Sequence, residues 1–124
     1  MEKKDKNFLK HKIGFCIRKI IEKNKSLSKG ENVSTEDLVT SLRKLAASSG
    51  IEYAIIQKIA SGKKNPAYTT LVAIAEGFNI TLTEFFQFHD SISDSEIENE
   101  MTEKKRKRKK NEQLSRNKTD VSKR

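Results

Sequence analysis

The chain has 124 residues, of which 35% are charged and 34% hydrophobic, and its formal net charge is +9 with a pI near 9.7. This length accommodates one domain of ordinary size, and the low apolar content indicates that part of the chain lies outside a core. The positive charge favours a polyanionic partner, such as a nucleic acid, over a neutral one.

The sequence shows neither a signal peptide nor a transmembrane span. Arg18 and Lys19 interrupt its apolar run near residues 13–21, and no run approaches ~20 apolar residues. Cys16 is the only cysteine, which excludes an intrachain disulfide. These features are typical of a protein of the reducing cytoplasm. His11 and His89 lack neighbours at ligand spacing, so we expect no metal site and no cofactor.

The first predicted helix runs from Phe8 to about Lys25, after a polar segment, residues 1–7, that we expect to be disordered. Apolar side chains recur along it at steps of three and four residues, which is the helical period. They are Leu9, Ile13, Cys16, Ile17, Ile20 and Ile21. Cys16 lies among isoleucines and is therefore predicted to be a small core residue.

Residues 26–32 form a loop by composition, and residues 33–41 (VSTEDLVTS) precede the next helix. Ser34 followed by Asp37 resembles a capping box with Asp in place of Glu, so a helical turn over residues 35–39 is predicted. Thr40 or Ser41 is the predicted cap of the second helix. The pattern leaves open whether one bent helix or two pieces form here.

The stretch 42–66 predicts two short helices joined by a tight turn. Leu42, Leu45 and Ala46 share one face of the first helix. Gly50 follows directly, and glycine takes the positive φ of a helix end at little steric cost. Two short helices joined through such a turn are a helix-turn-helix unit, whose second helix enters the DNA major groove.

The second helix of this unit runs from about Glu52 to Ser61, with the Glu52 carboxylate as its predicted cap. Its apolar stripe is Ile55, Ile56 and Ile59. The other faces carry a phenol, a methyl, an amide and an ammonium group, each able to meet a base edge or a phosphate. These belong to Tyr53, Ala54, Gln57 and Lys58, with Ser61 beside them.

A basic loop closed by the only proline, Pro66, follows this helix. Gly62 is predicted to end the helix, and Lys63, Lys64 and Asn65 then lie where they can bind the phosphate backbone.

Two further helices complete the predicted domain, which spans residues 8–89. Thr69 or Thr70 is the expected cap of the fourth helix, which ends at Gly77 or Asn79, and Thr81 or Thr83 caps the fifth. Their apolar side chains close a five-helix core. An exposed Ile80 or Phe88 would extend to a dimer interface.

The composition changes sharply at Asp90. Residues 90–103 are acidic, residues 104–110 (KKRKRKK) are entirely basic, and the remainder is polar. Blocks of like charge repel and seldom fold, so residues 90–124 are predicted to be a disordered tail. Residues 1–89 hold 15 basic and 9 acidic side chains, so the domain is basic in its own right.

Four stretches of the chain carry a resemblance to a known family: LAASSGI, the isoleucine-bearing helix, GKKNP and TLVAIAEGFNITLTEFF. In these stretches the chain resembles the Cro and phage-repressor (Xre) type of helix-turn-helix regulator. The resemblance covers roughly residues 13–86. It implies an all-α, five-helix lambda-repressor-like domain whose first helix packs across the helix-turn-helix pair. It also implies a bacterial or phage-encoded transcriptional regulator that binds double-stranded DNA as a homodimer. Residues 33–41 are an insertion relative to this pattern.

By the same resemblance, the base-reading positions fall on Tyr53, Ala54 and Lys58, with Gln57 as an additional candidate. Backbone contacts fall on Ser61, Lys63, Lys64 and Asn65. A Tyr53 that only covers the domain surface is the alternative for that residue.

The residues support no enzyme: the chain contains no phosphate-binding glycine loop, no paired acids in a predicted cleft and no Ser/His/Asp set. Two other interpretations stay open. One is an antitoxin-like protein whose tail binds a protein partner. The other is a non-specific nucleic-acid binder that acts through its basic tail.

Overall fold

The structure, a computed structural model, describes residues 5–30 and 38–122. These residues contain six helices and no strand. The helices are α1 Lys6–Ser28, α2 Leu42–Ser49, α3 Tyr53–Ala60, α4 Tyr68–Gly77, α5 Leu82–Ser91 and α6 Asp94–Ser122. The chain divides into two units, residues 1–93, with α1 to α5, and residues 94–124, with α6. The predicted all-α fold with a five-helix domain is therefore confirmed.

Each of the first five helices contributes a buried apolar face to one core. The largest side chains that are fully buried in this unit are Ile17, Leu45, Ile56, Ile59, Ile74 and Phe85. Within the core, α1 packs against α3 and α5, α2 against α3 and α4, and α4 against α5. Truncating one such leucine or isoleucine to alanine costs ~2–5 kcal/mol, so this core accounts for much of the stability of the unit.

A glycine fixes how closely α1 approaches the end of α3. A Cβ atom on Gly14 would lie 2.6 Å from the carbonyl oxygens of Ile59 and Ala60. No larger residue fits there without moving one helix, so Gly14 sets the position of α3 relative to α1.

Both ends of α2 and the start of α5 lie at residues that the sequence predicts. The Ser41 hydroxyl caps α2 by accepting the Lys44 N–H at 3.1 Å. Gly50 ends α2 at φ +74° and donates its N–H to the Ala46 carbonyl at 3.0 Å. Thr81 caps α5 and forms a capping box with Glu84.

The predicted start of α4 is wrong. The helix begins at Tyr68, with Ala67 rather than Thr69 or Thr70 in the cap position and no side chain capping it. Ala67, next to the buried Pro66, already has the extended backbone of a cap, and its carbonyl accepts the Leu71 N–H at 3.0 Å. The helix therefore starts before the threonines. Its end at Gly77 was predicted, and Asn79 follows with a φ of 61°.

The segment between α1 and α2 is described only from residue 38 onward. The predicted capping box of Ser34 and Asp37 lies outside the described residues, whereas residues 38–40 are described and are not helical. Val39 is buried, and its carbonyl accepts a hydrogen bond of 2.9 Å from the Asn24 amide. This contact anchors the segment to α1 just before α2.

The acidic-then-basic segment has a helical backbone, whereas its charge blocks predict no regular structure. Asp94 and Glu96 occupy the first turn of α6, which favours the helix dipole. Along the helix, Glu100 and Lys104 pair at 3.4 Å, as do Glu103 and Arg106. Such pairs stabilise an isolated helix by only ~0.2–0.5 kcal/mol each, so the disorder of this tail stays a prediction.

Candidate nucleic-acid interface

Helix α3 turns one face into the core and the opposite face to solvent. Ile56, Ile59 and Ala60 are buried, whereas Ala54, Gln57 and Lys58 are exposed. A half-buried Tyr53 stands at the first position of the helix. All four candidate base-reading side chains therefore belong to the part of α3 that the core does not use.

Tyr53 is held on two sides at the start of α3. The guanidinium carbon of Arg43, from α2, lies 4.2 Å from the centre of the Tyr53 ring. The Gln57 amide, one turn along α3, donates a hydrogen bond of 3.0 Å to the Tyr53 hydroxyl. The phenol is therefore held between Arg43 of α2 and Gln57 of α3.

The basic loop after α3 is tied to the last turn of that helix. The N–H groups of Lys63 and Lys64 donate to the Lys58 carbonyl at 2.9 and 3.2 Å, and the Ser61 hydroxyl donates to it at 3.2 Å. Gly62 supplies the positive φ, 81°, that turns the chain back. Lys63, Lys64 and Asn65 remain exposed, so their side chains project from a loop whose position is set by α3.

Helix α1 supports the carboxyl end of α3. The Arg18 Nε donates to the Ala60 carbonyl at 3.0 Å, which places a cation at the negative end of the α3 dipole. The His11 ring lies close to Gly62, since a Cβ atom on Gly62 would be 2.9 Å from it. Both contacts hold α3 and the loop after it against α1.

The charge of this region is strongly one-sided. Residues 41–67 contain five basic side chains and one acidic one. The acidic residue, Glu52, occupies the cap position of α3 as predicted, but its carboxylate makes no capping hydrogen bond. Instead the Glu52 carbonyl accepts the N–H groups of Ile55 and Ile56 at 3.0 and 3.1 Å.

An open cleft of about 450 Å³ adjoins Tyr53. Its charged lining consists of three cations and one carboxylate, namely Arg18, Lys25, Arg43 and Glu22. The cleft therefore has an excess of positive charge beside the amino end of α3.

The other chemically notable groups are structural. Cys16 is fully buried, and burial raises the pKa of its thiol to about 12, so it is neutral at physiological pH. Among the described residues, no group of three His, Cys, Asp or Glu side chains is arranged to hold a metal ion. None of the described helices is long and apolar enough to cross a membrane.

Arg43 and Arg18 adjoin this site but do not follow from the sequence. Arg43 lies off the apolar face of Leu42, Leu45 and Ala46, which indicates exposure but does not show which residue of α3 lies beside it. The sequence does offer one indication of the contact, because Arg43 lies on the polar side of α2 and an aromatic residue, Tyr53, begins α3.

Comparison with known protein families gives a match to part of the chain. Residues 40–85 match the family model described as helix-turn-helix, a segment that covers α2, α3, α4 and the first part of α5. No curated protein and no solved structure shows a significant match to the chain.

Proposed function

We propose that the chain is a DNA-binding regulator of the Cro and phage-repressor type that represses transcription from a specific operator. The match of residues 40–85 to the helix-turn-helix family supports this proposal. The observation that carries the proposal is the solvent-facing side of α3, where four side chains able to contact base edges stand on a rigid helix. In this arrangement α3 lies in the major groove and α2 crosses the backbone.

Base reading is assigned to Tyr53, Ala54, Gln57 and Lys58. The Lys58 ammonium can donate to guanine O6 and N7, and the Ala54 methyl can meet a thymine methyl. Gln57 uses one amide N–H on Tyr53, which leaves a second N–H and its carbonyl oxygen for the edge of an adenine.

Backbone contact is assigned to Ser61, Lys63, Lys64 and Asn65. Their loop is bonded to the Lys58 carbonyl, so a phosphate held there fixes the depth and register of α3 in the groove. The lysines add the salt-dependent part of the affinity.

A homodimer on two half-sites completes the proposal, because members of this family commonly pair in this way. The side chains considered for the interface, Ile80 and Phe88, are half-buried, and the Lys23 ammonium lies 4.5 Å from the centre of the Phe88 ring. Any pairing at Phe88 therefore has to displace or include Lys23.

Non-specific binding through the basic run is a second candidate. The six side chains from Lys105 to Lys110 are exposed, and their charge alone could hold a polyanion. If this second candidate holds, the basic run supplies the affinity for nucleic acid and α3 supplies none.

The two candidates are separated by titrating labelled duplexes with three forms of the full chain: unaltered, Lys58→Ala, and with Lys105 to Lys110 all replaced by glutamine. Specific recognition predicts that Lys58→Ala costs ~1–3 kcal/mol on the preferred duplex and relaxes selectivity at one base pair. The glutamine variant should then keep its sequence preference while binding more weakly overall.

Lys19→Ala is the matched control, because it removes one exposed positive charge from α1 rather than from α3. Equal small losses for Lys58→Ala and Lys19→Ala, together with abolished binding in the glutamine variant, would instead establish the non-specific candidate.

A further inference from the structure

His11 of α1 packs against the turn that leads from α3 into the basic loop. A Cβ atom on Gly62 would be 2.9 Å from two ring carbons of His11 and 3.1 Å from its Nε2 atom. Gly62 is buried and has a φ of 81°. Because the imidazole fills the space where a side chain at residue 62 would lie, it holds the start of the loop in place.

The hydrogen bond of His11 shows which ring nitrogen is able to take up a proton. Its Nδ1 atom lies 2.8 Å from the Asn7 carbonyl oxygen, one turn earlier in α1. A carbonyl oxygen can only accept, so Nδ1 carries the hydrogen of the neutral ring. Nε2, one of the three ring atoms nearest to Gly62, therefore holds the lone pair that accepts a second proton.

The charged side chains on the segments that meet at His11 are cations. On residues 6–18 of α1, on α3 and in the loop after it, they are Lys6, Lys10, Lys12, Arg18, Lys58, Lys63 and Lys64. Asp5, the cap of α1, uses its carboxylate to accept the Phe8 N–H at 2.7 Å, and Glu52 lies at the opposite end of α3. Among the described residues, no carboxylate forms an ion pair with His11.

The other helix packed on α1 is α5, and its carboxylates are engaged elsewhere. Glu84 takes part in the capping box of α5, while Asp90 pairs with His89 at 2.9 Å and lies near Cys16. Cys16 projects from a different side of α1 than His11 does, because five residues along a helix turn its face by ~140°. An anionic partner for a protonated His11 therefore has to come from a bound ligand rather than from these helices.

DNA provides such an anion if the basic loop holds a backbone phosphate. A nearby negative charge favours the charged form of an imidazole. Histidine is also the side chain whose charge ordinarily changes near neutral pH. A phosphate held by the loop next to Gly62 would therefore favour proton uptake at Nε2.

We propose that His11 positions the phosphate-binding loop and takes up a proton at Nε2 when DNA binds, so that DNA binding tightens as the pH falls. The proton comes from solvent, and the Nε2 lone pair accepts it. The inference rests on the proposed function, since it takes Lys63, Lys64 and Asn65 as the residues that hold a phosphate. A group that is protonated more often in the complex than in the free chain contributes affinity at low pH, and this contribution is lost as the pH rises.

The test is the affinity of the full chain for the duplex recovered by selection, measured between about pH 6 and about pH 8. His11→Gln keeps an amide N–H for the Asn7 carbonyl but carries no charge at any pH. His89→Gln is the matched control, because His89 lies on α5 and already has the Asp90 carboxylate as its partner. Urea unfolding at each pH shows whether each form is folded.

We expect the unaltered chain to bind about threefold more tightly at the acidic end of this range than at the alkaline end, the effect of one additional charge near a phosphate at the protein surface. Calorimetry in two buffers of different ionisation enthalpy should register the accompanying proton uptake. His11→Gln should abolish both effects, whereas His89→Gln should retain them.

The unaltered chain tests the linkage by itself, since an affinity that does not change with pH would overturn it. A His11→Gln form that binds more weakly, yet with the same pH dependence as the unaltered chain, would also overturn it and would leave the ring with a packing role only. Equal binding of the unaltered chain to the selected duplex and to a scrambled duplex of the same composition would overturn the proposed function itself. The two failures are therefore distinguishable.

Discussion

Gly14 shows how one residue positions α3. Because it lacks a side chain, the backbone of α1 reaches the carbonyl oxygens of Ile59 and Ala60 at the end of α3. One turn further along α1, Arg18 donates to the same Ala60 carbonyl. Steric fit and a charged hydrogen bond thus meet at one point, where they fix the carboxyl end of α3.

Gly14→Ala is expected to destabilise the domain by ~1–3 kcal/mol, the usual cost of overpacking. Its Cβ atom would lie 2.6 Å from two backbone carbonyl oxygens, which cannot withdraw as a flexible side chain could. Urea unfolding followed by circular dichroism measures the effect.

Helix propensity alone would give the opposite result, because alanine is favoured over glycine inside a helix by up to ~1 kcal/mol. Packing therefore predicts that Gly14→Ala lowers the free energy of unfolding, whereas propensity predicts that it raises it. A stabilised Gly14→Ala variant would mean that α1 and α3 are not in close contact at this point.

Single-residue roles were predictable where periodicity alone determines them. The spacing along α1 predicted an apolar face. Its members Cys16, Ile17, Ile20 and Ile21 are buried, whereas Leu9, near the start of the helix, is 46% exposed. The stack of Arg43 on Tyr53 was not predictable, since it depends on how α2 and α3 cross rather than on either helix alone.

At the scale of elements, the helix-turn-helix pair was nearly fully specified by local chemistry. Helix α3 was predicted over residues 52–61 and occupies Tyr53–Ala60, with Glu52 and Ser61 as its caps. Ser41, Gly50 and Thr81 each have a residue type that strongly favours a helix end. Helix α4 was misplaced because no such residue marks its start, where the backbone of Ala67 suffices.

Helix α6 combines two halves with opposite electrostatic consequences. Its acidic first half suits the amino end of a helix, whereas the seven consecutive cations of residues 104–110 repel one another. At ~1.5 Å per residue, this run carries one charge per ~1.5 Å, close to the one per ~1.7 Å of duplex DNA. A polyanion would therefore relieve the repulsion that opposes the helix.

We expect duplex DNA to raise the helical content of the full chain, measured by far-ultraviolet circular dichroism after subtraction of the DNA spectrum. The gain should come from residues 104–110, so replacing Lys105 to Lys110 by glutamine should abolish it. Helical content that does not change on DNA addition, in either form, would contradict this account of α6.

In the whole molecule, positive charge is present both in the domain and in the tail, and this distribution indicates what each part contributes to DNA binding. The domain is basic without the tail: of its fifteen basic side chains, α1 carries seven and residues 41–67 carry five. We therefore assign selectivity to the domain and additional, salt-sensitive affinity to the tail. The division into a folded domain of residues 8–89 and a tail of residues 90–124 stays a prediction, as does the homodimer.

The proposed recognition of a defined DNA sequence by α3 is tested by selection from a random duplex pool with the full chain at near-physiological salt. We expect a recovered motif with two inverted half-sites about ten base pairs apart, centre to centre. Robust retention of DNA without any recovered motif would contradict it and would leave the positive charge of the chain as the sole basis of binding.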